Sequence, residues 1–329
     1  MRQLICGRVS MVLAVLAATF VATFVAMTPA RAQGALSLLG FGYPTGGISA
    51  RSVGTGTSLL GLDPQSSVNP AAIVLNARLQ GYLQFEPEFR SVSAGGPKVK
   101  TTTARFPLFM VTGRQSKATF ALSFSSFMDR TWSNSYADTQ SVGSERIPSL
   151  VLTSSIGGIA DVRGAFAWTF SQRVHVGLGA HFFPGENRVA FGRAFSDSSR
   201  AGSFQSQNAY NFGGTALSFG GVWLSPYHML LAAEMRVGGT MRMRLGDSTI
   251  VGTGTVPFRA GVTASYDGIP GSVFNVRLAR ERWTDLRGLG TSSLGLEDAT
   301  DFAVGAEVLG PRLGSNQLAF RGGFRNRGL

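Results

Sequence analysis

The side chains with the widest chemical range in this sequence are three histidines, His175, His181 and His228. His175 and His181 lie six residues apart in the alternating run VHVGLGAHF, on one face of a strand. Strand rise separates them by roughly 20 Å, too far to hold one metal ion, and His228 falls in a turn. No G-x-S-x-G, G-x-G-x-x-G or H-E-x-x-H occurs, and a serine-type hydrolase would need Ser, His and an acid converging at one rim. The one cysteine, Cys6, belongs to a leader segment, so the mature chain has no disulfide, thiolate metal site or cysteine nucleophile. The sequence therefore predicts no cofactor, no metal and no enzymatic activity.

A second group is ionic. Arg163, Glu234, Arg236, Arg259 and Arg277, with Asp161, Asp301, Glu307, Arg321 and Arg325, all take the polar parity of segments that alternate apolar and polar residues. They read most simply as cross-strand charge pairs. Selection of anionic solutes is the sharper reading.

The third feature is Ser49–Ala72, SARSVGTGTSLLGLDPQSSVNPAA. Gly54, Gly56 and Gly61 recur too often for a regular helix or strand, and Arg51 and Asp63 are the only charges. Polar contacts from these two to Glu234, Arg236 or Arg259 would latch the stretch to its surroundings; a solvated loop pair is the plainer alternative. Asn69 suits an N-cap and Pro70 the first helical position, with Ala71 next, so a short helix is expected there. Its capped N-terminus could attract a carboxylate.

These residues must be positioned by the elements around them. From Leu79 the pattern has period two, and eleven strands can be laid out: about 79–90, 100–112, 117–128, 160–170, 174–182, 212–223, 230–237, 256–266, 274–278, 301–308 and 318–325. Strand 8 sets Val256, Phe258, Ala260, Val262, Ala264 and Tyr266 against Arg259, Gly261, Thr263 and Ser265. Connections are short on one side (113–116, 171–173, 224–228, 267–271, 310–315) and long on the other (129–159, 184–211, 285–299). Trp168, Phe170, Trp223 and Tyr266 fall at the short-turn ends, where an interfacial aromatic girdle belongs. Short turns at one end, long loops at the other and strict alternation predict a membrane β-barrel, apolar to lipid and polar to the lumen. A soluble sandwich usually has strands of 5–6 residues. Eleven is odd, whereas a single-chain bacterial barrel needs an even number without open edges. Either a strand is hidden in Ser149–Ser155 or Phe191–Phe204, or the sequence stops one or more strands short, the favoured reading.

Bulk properties agree. Of 329 residues, 44% are hydrophobic and 15% charged, with 43 Gly and 24 Phe; about 25% charge is usual for soluble domains. Beyond residue 32 no apolar run reaches the roughly 20 residues of a membrane helix. Arg2 and Arg8, the apolar Met11–Met27 and the small-x-small site Ala30-Arg31-Ala32 form an export signal over 1–32. Residues 33–78 are then a plug and 79–329 the barrel. The net charge of +12 falls to +9 after cleavage. It is spread singly along strands with no basic cluster, so nucleic acid is not an expected partner; a basic lumen and anionic headgroups account for it.

The ordered set Arg51-x-x-Gly54-x-Gly56, Asp63 and Asn69-Pro70-Ala71, after a signal and before the barrel, resembles the N-terminal hatch of the FadL/TodX-like long-chain fatty-acid and hydrocarbon transporters and their PorV-like relatives. The resemblance implies an all-β, fourteen-stranded antiparallel transmembrane barrel with an N-terminal plug, in the bacterial outer membrane. It implies passive uptake of hydrophobic or amphipathic molecules such as fatty acids. Partners would be outer-membrane lipid, a hydrophobic small-molecule ligand and the outer-membrane barrel assembly machinery. For such a barrel Arg163, His175, His181, Glu234, Arg236, Arg259 and Arg277 are the candidate lumen lining. The family's paired acidic residues before its NPA segment stand here as Asp63-Pro64, and the chain is short for the family. A PorV-like anchor or shuttle in protein secretion and a structural or general-diffusion barrel are the alternatives. A wide, plug-free lumen would favour the last, and an apolar pocket beside a kinked wall strand the channel.

Overall fold

The computed structural model describes residues 48–76, 78–92, 99–142, 145–196, 202–246, 249–289 and 296–327. The expected signal, 1–32, and the first part of the plug, 33–47, lie outside the described residues. Among the described residues two short elements come first, helix α1 (Ala50–Gly54) and a 3₁₀ turn (Pro70–Leu75). Fourteen strands follow: β1 Leu79–Val92, β2 Val99–Gln115, β3 Ala118–Asp129, β4 Trp132–Val142, β5 Glu145–Thr169, β6 Val174–Phe182, β7 Gly185–Phe195, β8 Phe204–Leu224, β9 Met229–Leu245, β10 Thr249–Thr255, β11 Arg259–Ile269, β12 Ser272–Glu281, β13 Ala299–Leu313 and β14 Asn316–Arg327. All belong to one antiparallel sheet.

The alternation expected from the sequence appears as an inversion of burial. Along one register row, Phe120, Phe166, Leu178, Phe219 and Met235 are successive partners, and all are exposed. In a neighbouring row Ser218, Arg236, Arg259 and Glu281 are successive partners facing inward. Arg163 exposes 0% of its surface and Arg277 1%, while Leu122 exposes 59%. Water would reverse that arrangement, because transferring apolar surface out of it is what drives ordinary burial. A sheet with apolar residues outside and charges inside belongs around a polar lumen in lipid. Trp168, Phe170, Trp223 and Tyr266 are exposed near the short turns, as the girdle requires.

The continuous path through the sheet has eleven members, β1-β2-β3-β5-β6-β8-β9-β11-β12-β13-β14, with β4, β7 and β10 paired beside it. Three wall strands are thus each divided in two: β3/β4 at Arg130–Thr131, β6/β7 at Phe183–Pro184 and β10/β11 at Val256–Phe258. Two expectations are corrected here. Segments 129–159 and 184–211 are not long loops but the hairpins β4–β5 and β7–β8, carried by β5 to 25 residues, roughly 80 Å at strand rise. Strand outside lipid need not alternate apolar and polar residues; these Ser-, Asn- and Gln-rich runs are held by backbone ladders with a few side-chain ties, Arg193 to Asp138 at 2.9 Å among them. Val256 does not face lipid. It sits in the β10/β11 break and is fully buried inside.

With eleven antiparallel members, β1 and β14 run the same way, and among the described residues no ladder joins them. The plug bridges the two ends instead. The Ala50 N–H donates to Tyr82 Oη on β1 at 3.1 Å, and α1 lies against β14.

Candidate functional site: the lumen and its plug

The plug is folded around one carboxylate. Asp63, buried, accepts hydrogen bonds from the hydroxyls of Ser52 (2.6 Å), Ser66 (2.8 Å) and Ser49, and from the Gln65 N–H (3.0 Å). Ser49 also caps α1. Asn69 caps the 3₁₀ turn as its residue type predicts: its Oδ1 accepts from the Ala71 N–H at 2.9 Å and its Nδ2 donates to Gly61 O at 2.7 Å. Pro70 and Ala71 are the first two residues of that turn and are buried. Asp63 therefore does not latch the plug to the wall. Arg51 does, but not to Glu234, Arg236 or Arg259: it pairs bidentately with Glu307 of β13 (3.0 and 3.1 Å), which Arg321 of β14 also holds at 2.5 Å. The difference follows from geometry. α1 enters at the β13–β14 side, and the charges expected as partners face residues 60–68 instead.

Wall glycines make room for the plug. A Cβ at Gly177 of β6 would strike Pro70 and Ala71, one at Gly220 of β8 the Asn69 side chain, and one at Gly323 of β14 the Thr55 carbonyl. Gly56 needs its left-handed φ of +63° and packs on Gly323; Gly54 lies over Arg321. Apolar contacts complete the fit: Leu59, Leu62 and Ala71 with Val222 and Ala232, and Ile73 and Val74 with Ala121, Ala165 and Ala167.

Beyond the plug lies a layer of charge. Arg277 donates to Glu234 at 2.5 Å and lies 3.4 Å from Asp301, which Arg325 also holds at 2.7 Å. Arg259 stands 3.7 Å from Glu281 and donates to the plug's Val68 carbonyl at 3.3 Å. Arg327 also pairs with Glu281. Among the described residues Arg236 donates only to Pro257 O, at 3.2 and 3.3 Å. His181 bonds Asp161 Oδ1 through Nδ1 and Ser218 Oγ through Nε2, both at 2.8 Å, so Ser, His and acid do converge. They converge in mid-lumen with all three buried, not at a rim. His175 is apart, 3.2 Å from Thr169 Oγ1. Among the described residues no group of three metal-ligating side chains forms.

Further out the lumen becomes apolar. A bulge at Ser126/Met128 turns both Phe127 and Met128 inward. In β9 two residues, Gly239 and Thr240, oppose the single Thr215, and parity flips: Glu234 and Arg236 face in before the bulge, Met241 and Met243 after it. Phe183 and Val256 enter from the strand breaks. Trp283, Leu286, Leu289 and Leu296 enter from the described parts of the β12–β13 connection; 285–299 is expected to be an outer loop, and these residues turn inward instead. Phe127 packs edge-on to Phe183 (4.8 Å) and stacks on Trp283 (6.0 Å), and the Arg236 guanidinium lies 5.4 Å from Phe127 and 5.8 Å from Phe183. The β12–β13 connection is pinned by Asp298, which accepts from Thr284 Oγ1 at 2.7 Å. That hydroxyl, then the Thr284 N–H and Arg280, hold Asp298 below the usual carboxylate range against some desolvation.

Sequence reasoning missed Ser218, Glu281 and this apolar chamber. The available signals were Trp283, Leu286 and Leu289 at threefold spacing in a supposed loop, and the adjacent apolar pair Phe127-Met128.

Among solved structures, the chain is similar to a FadL homologue of Pseudomonas aeruginosa (TM-score 0.49, 9% identity, covering 87% of this chain and 91% of that one). It is also similar to the Ralstonia pickettii toluene transporter TbuX (0.45, 14%, 85% and 86%) and to the CymD monoaromatic hydrocarbon channel (0.45, 13%, 85% and 85%). No protein-family profile and no curated protein matches the sequence. The barrel architecture stands on the chain's own strand pairing and inverted burial.

Proposed function

We propose that the protein is a channel of the bacterial outer membrane for passive uptake of hydrophobic or amphipathic small molecules, fatty acids among them. One observation carries this reading: an apolar chamber at the outer half of a lumen whose inner half is charged and plugged. Burying a ligand tail against Phe127, Phe183 and Trp283 would contribute about 25 cal/mol per Å², and Arg236 lies where an anionic head would meet a cation. The space between plug and chamber is about 40 Å³, room for a water or two, so passage needs the plug or the β12–β13 connection to shift. A general-diffusion pore would call for a wide lumen instead. The test is uptake of a labelled long-chain fatty acid and of an aromatic hydrocarbon into liposomes. Flux above that of protein-free vesicles, lowered by Phe183→Ser, is expected; flux equal to protein-free vesicles for both solutes would sink the reading.

A further inference from the structure

The charge layer does not balance. Six arginines (Arg163, Arg236, Arg259, Arg277, Arg325, Arg327) face four carboxylates (Asp161, Glu234, Glu281, Asp301). Glu234, Glu281 and Asp301 each hold at least one arginine, while Asp161 is turned to His181. Among the described residues Arg236 and Arg163 hold no carboxylate; Arg236 donates to Pro257 O and lies over Phe127 and Phe183, which leaves Arg163 as the one of the six without a bonded partner. It is completely buried, and its Nε, Nη1 and Nη2 all lack a hydrogen-bond partner. Its cross-strand neighbour on β3, Ser123, is also buried with an unpartnered Oγ. Its neighbour on β6, His181, has both ring nitrogens engaged. A guanidinium and a hydroxyl therefore stand on neighbouring strands, both buried and neither hydrogen-bonded, with more donors between them than the hydroxyl oxygen could satisfy. Water could accept from them but would leave the surplus charge, and an uncompensated charge away from bulk water is expensive.

We propose that Arg163 and Ser123 form an internal site for a free monovalent inorganic anion of the halide type, held between β3 and β5. Asp161 lies within electrostatic reach of Arg163, which disfavours a multiply charged oxyanion. Arg163 does not line the open space between plug and chamber, whereas Arg236, Arg259 and Arg277 do. A carboxylate head arriving through the chamber meets those first, so the ion at Arg163 belongs to the wall and not to the cargo.

The full chain, folded in detergent, is heated in sodium chloride, bromide or gluconate at constant ionic strength, and its unfolding is read by heat-modifiable gel migration. The halides are expected to raise the midpoint saturably, by about 3 °C, and gluconate is not. Arg163→Met should abolish the response, and Arg188→Gln, an exposed control on β7, should keep it. Ser123→Ala should fold and need about fivefold more halide for half the effect, a loss of about 1 kcal/mol typical of one hydrogen bond. Should Arg163→Met not fold, Ser123→Ala and an anomalous bromide peak beside the Arg163 guanidinium decide the matter. Equal stabilisation by gluconate, a response that survives Arg163→Met, or no bromide peak there overturns the proposal. Displacement of the halide effect by octanoate overturns it too, by assigning the site to the cargo's headgroup.

Discussion

At the scale of single residues, the contact that ties plug to wall is Arg51–Glu307–Arg321. The Arg51 side chain is 37% exposed and the Glu307 side chain 12%, so solvent screens the pair, and about 1 kcal/mol is the appropriate magnitude. Arg51→Gln should therefore leave the barrel folded but loosen the plug. In planar bilayers we expect more frequent open events than in the unaltered protein, and a double variant with Glu307→Gln no leakier than either single one. Additive leakage would show that the two residues act separately. Much at this scale was legible in the sequence. The inward parity of Arg163, His181, Glu234, Arg236, Arg259 and Arg277 followed from period two alone, because a pleated strand leaves no third direction for a side chain. Who pairs with whom was not legible. Pairing depends on register, and register comes from strand breaks and bulges that leave only a faint trace in the residue order; hence Arg51 finds Glu307 instead of Glu234.

At the scale of elements, two features invite tests. Gly220 of β8 lies against Asn69, the cap of the plug's 3₁₀ turn. Gly220→Val should dislodge that turn while β8 keeps its ladder, read as new protease cleavage within 48–76 on an otherwise heat-modifiable barrel; an intact plug would count against the close packing. The β12–β13 connection should respond to acid. Asp298 is held below its unfolded value of about 4, so its anchoring of the connection is fully present above that value and fades as pH falls through the folded one. Amide exchange over 283–289 should rise only below about pH 4, and Asp298→Asn should remove the pH dependence. The wall strands were readable from alternation. The hairpins of 129–159 and 184–211 were not, for outside lipid nothing compels one face to be apolar, and the inward fold of 282–289 was hidden by its position between two strands.

At the scale of the whole molecule the apolar face is outermost. Placing a charge on it away from the girdle, as in Phe124→Arg, should cost about 2–4 kcal/mol near the bilayer middle, whereas the inward Thr119→Ser on the same sheet should be close to neutral. Refolding into vesicles, followed by urea titration, measures both; equal effects would contradict the inversion of burial. A different consequence follows from the glycines and small residues that seat the plug. Val222, Ala232, Ala121, Ala165 and Ala167, which complete the plug's apolar clusters, all belong to the wall, and the plug's regular elements among the described residues are only a six-residue turn and a five-residue helix. Among its described residues the plug's interior is the small polar one around Asp63, and its apolar clusters are completed by the wall. A segment of that kind keeps its shape only in company, so the wall must assemble around it like staves around a mandrel. Plug and barrel then form one cooperative unit, and strand insertion and plug ordering should share a single rate when refolding is followed by both heat-modifiability and protease protection of residues 48–76.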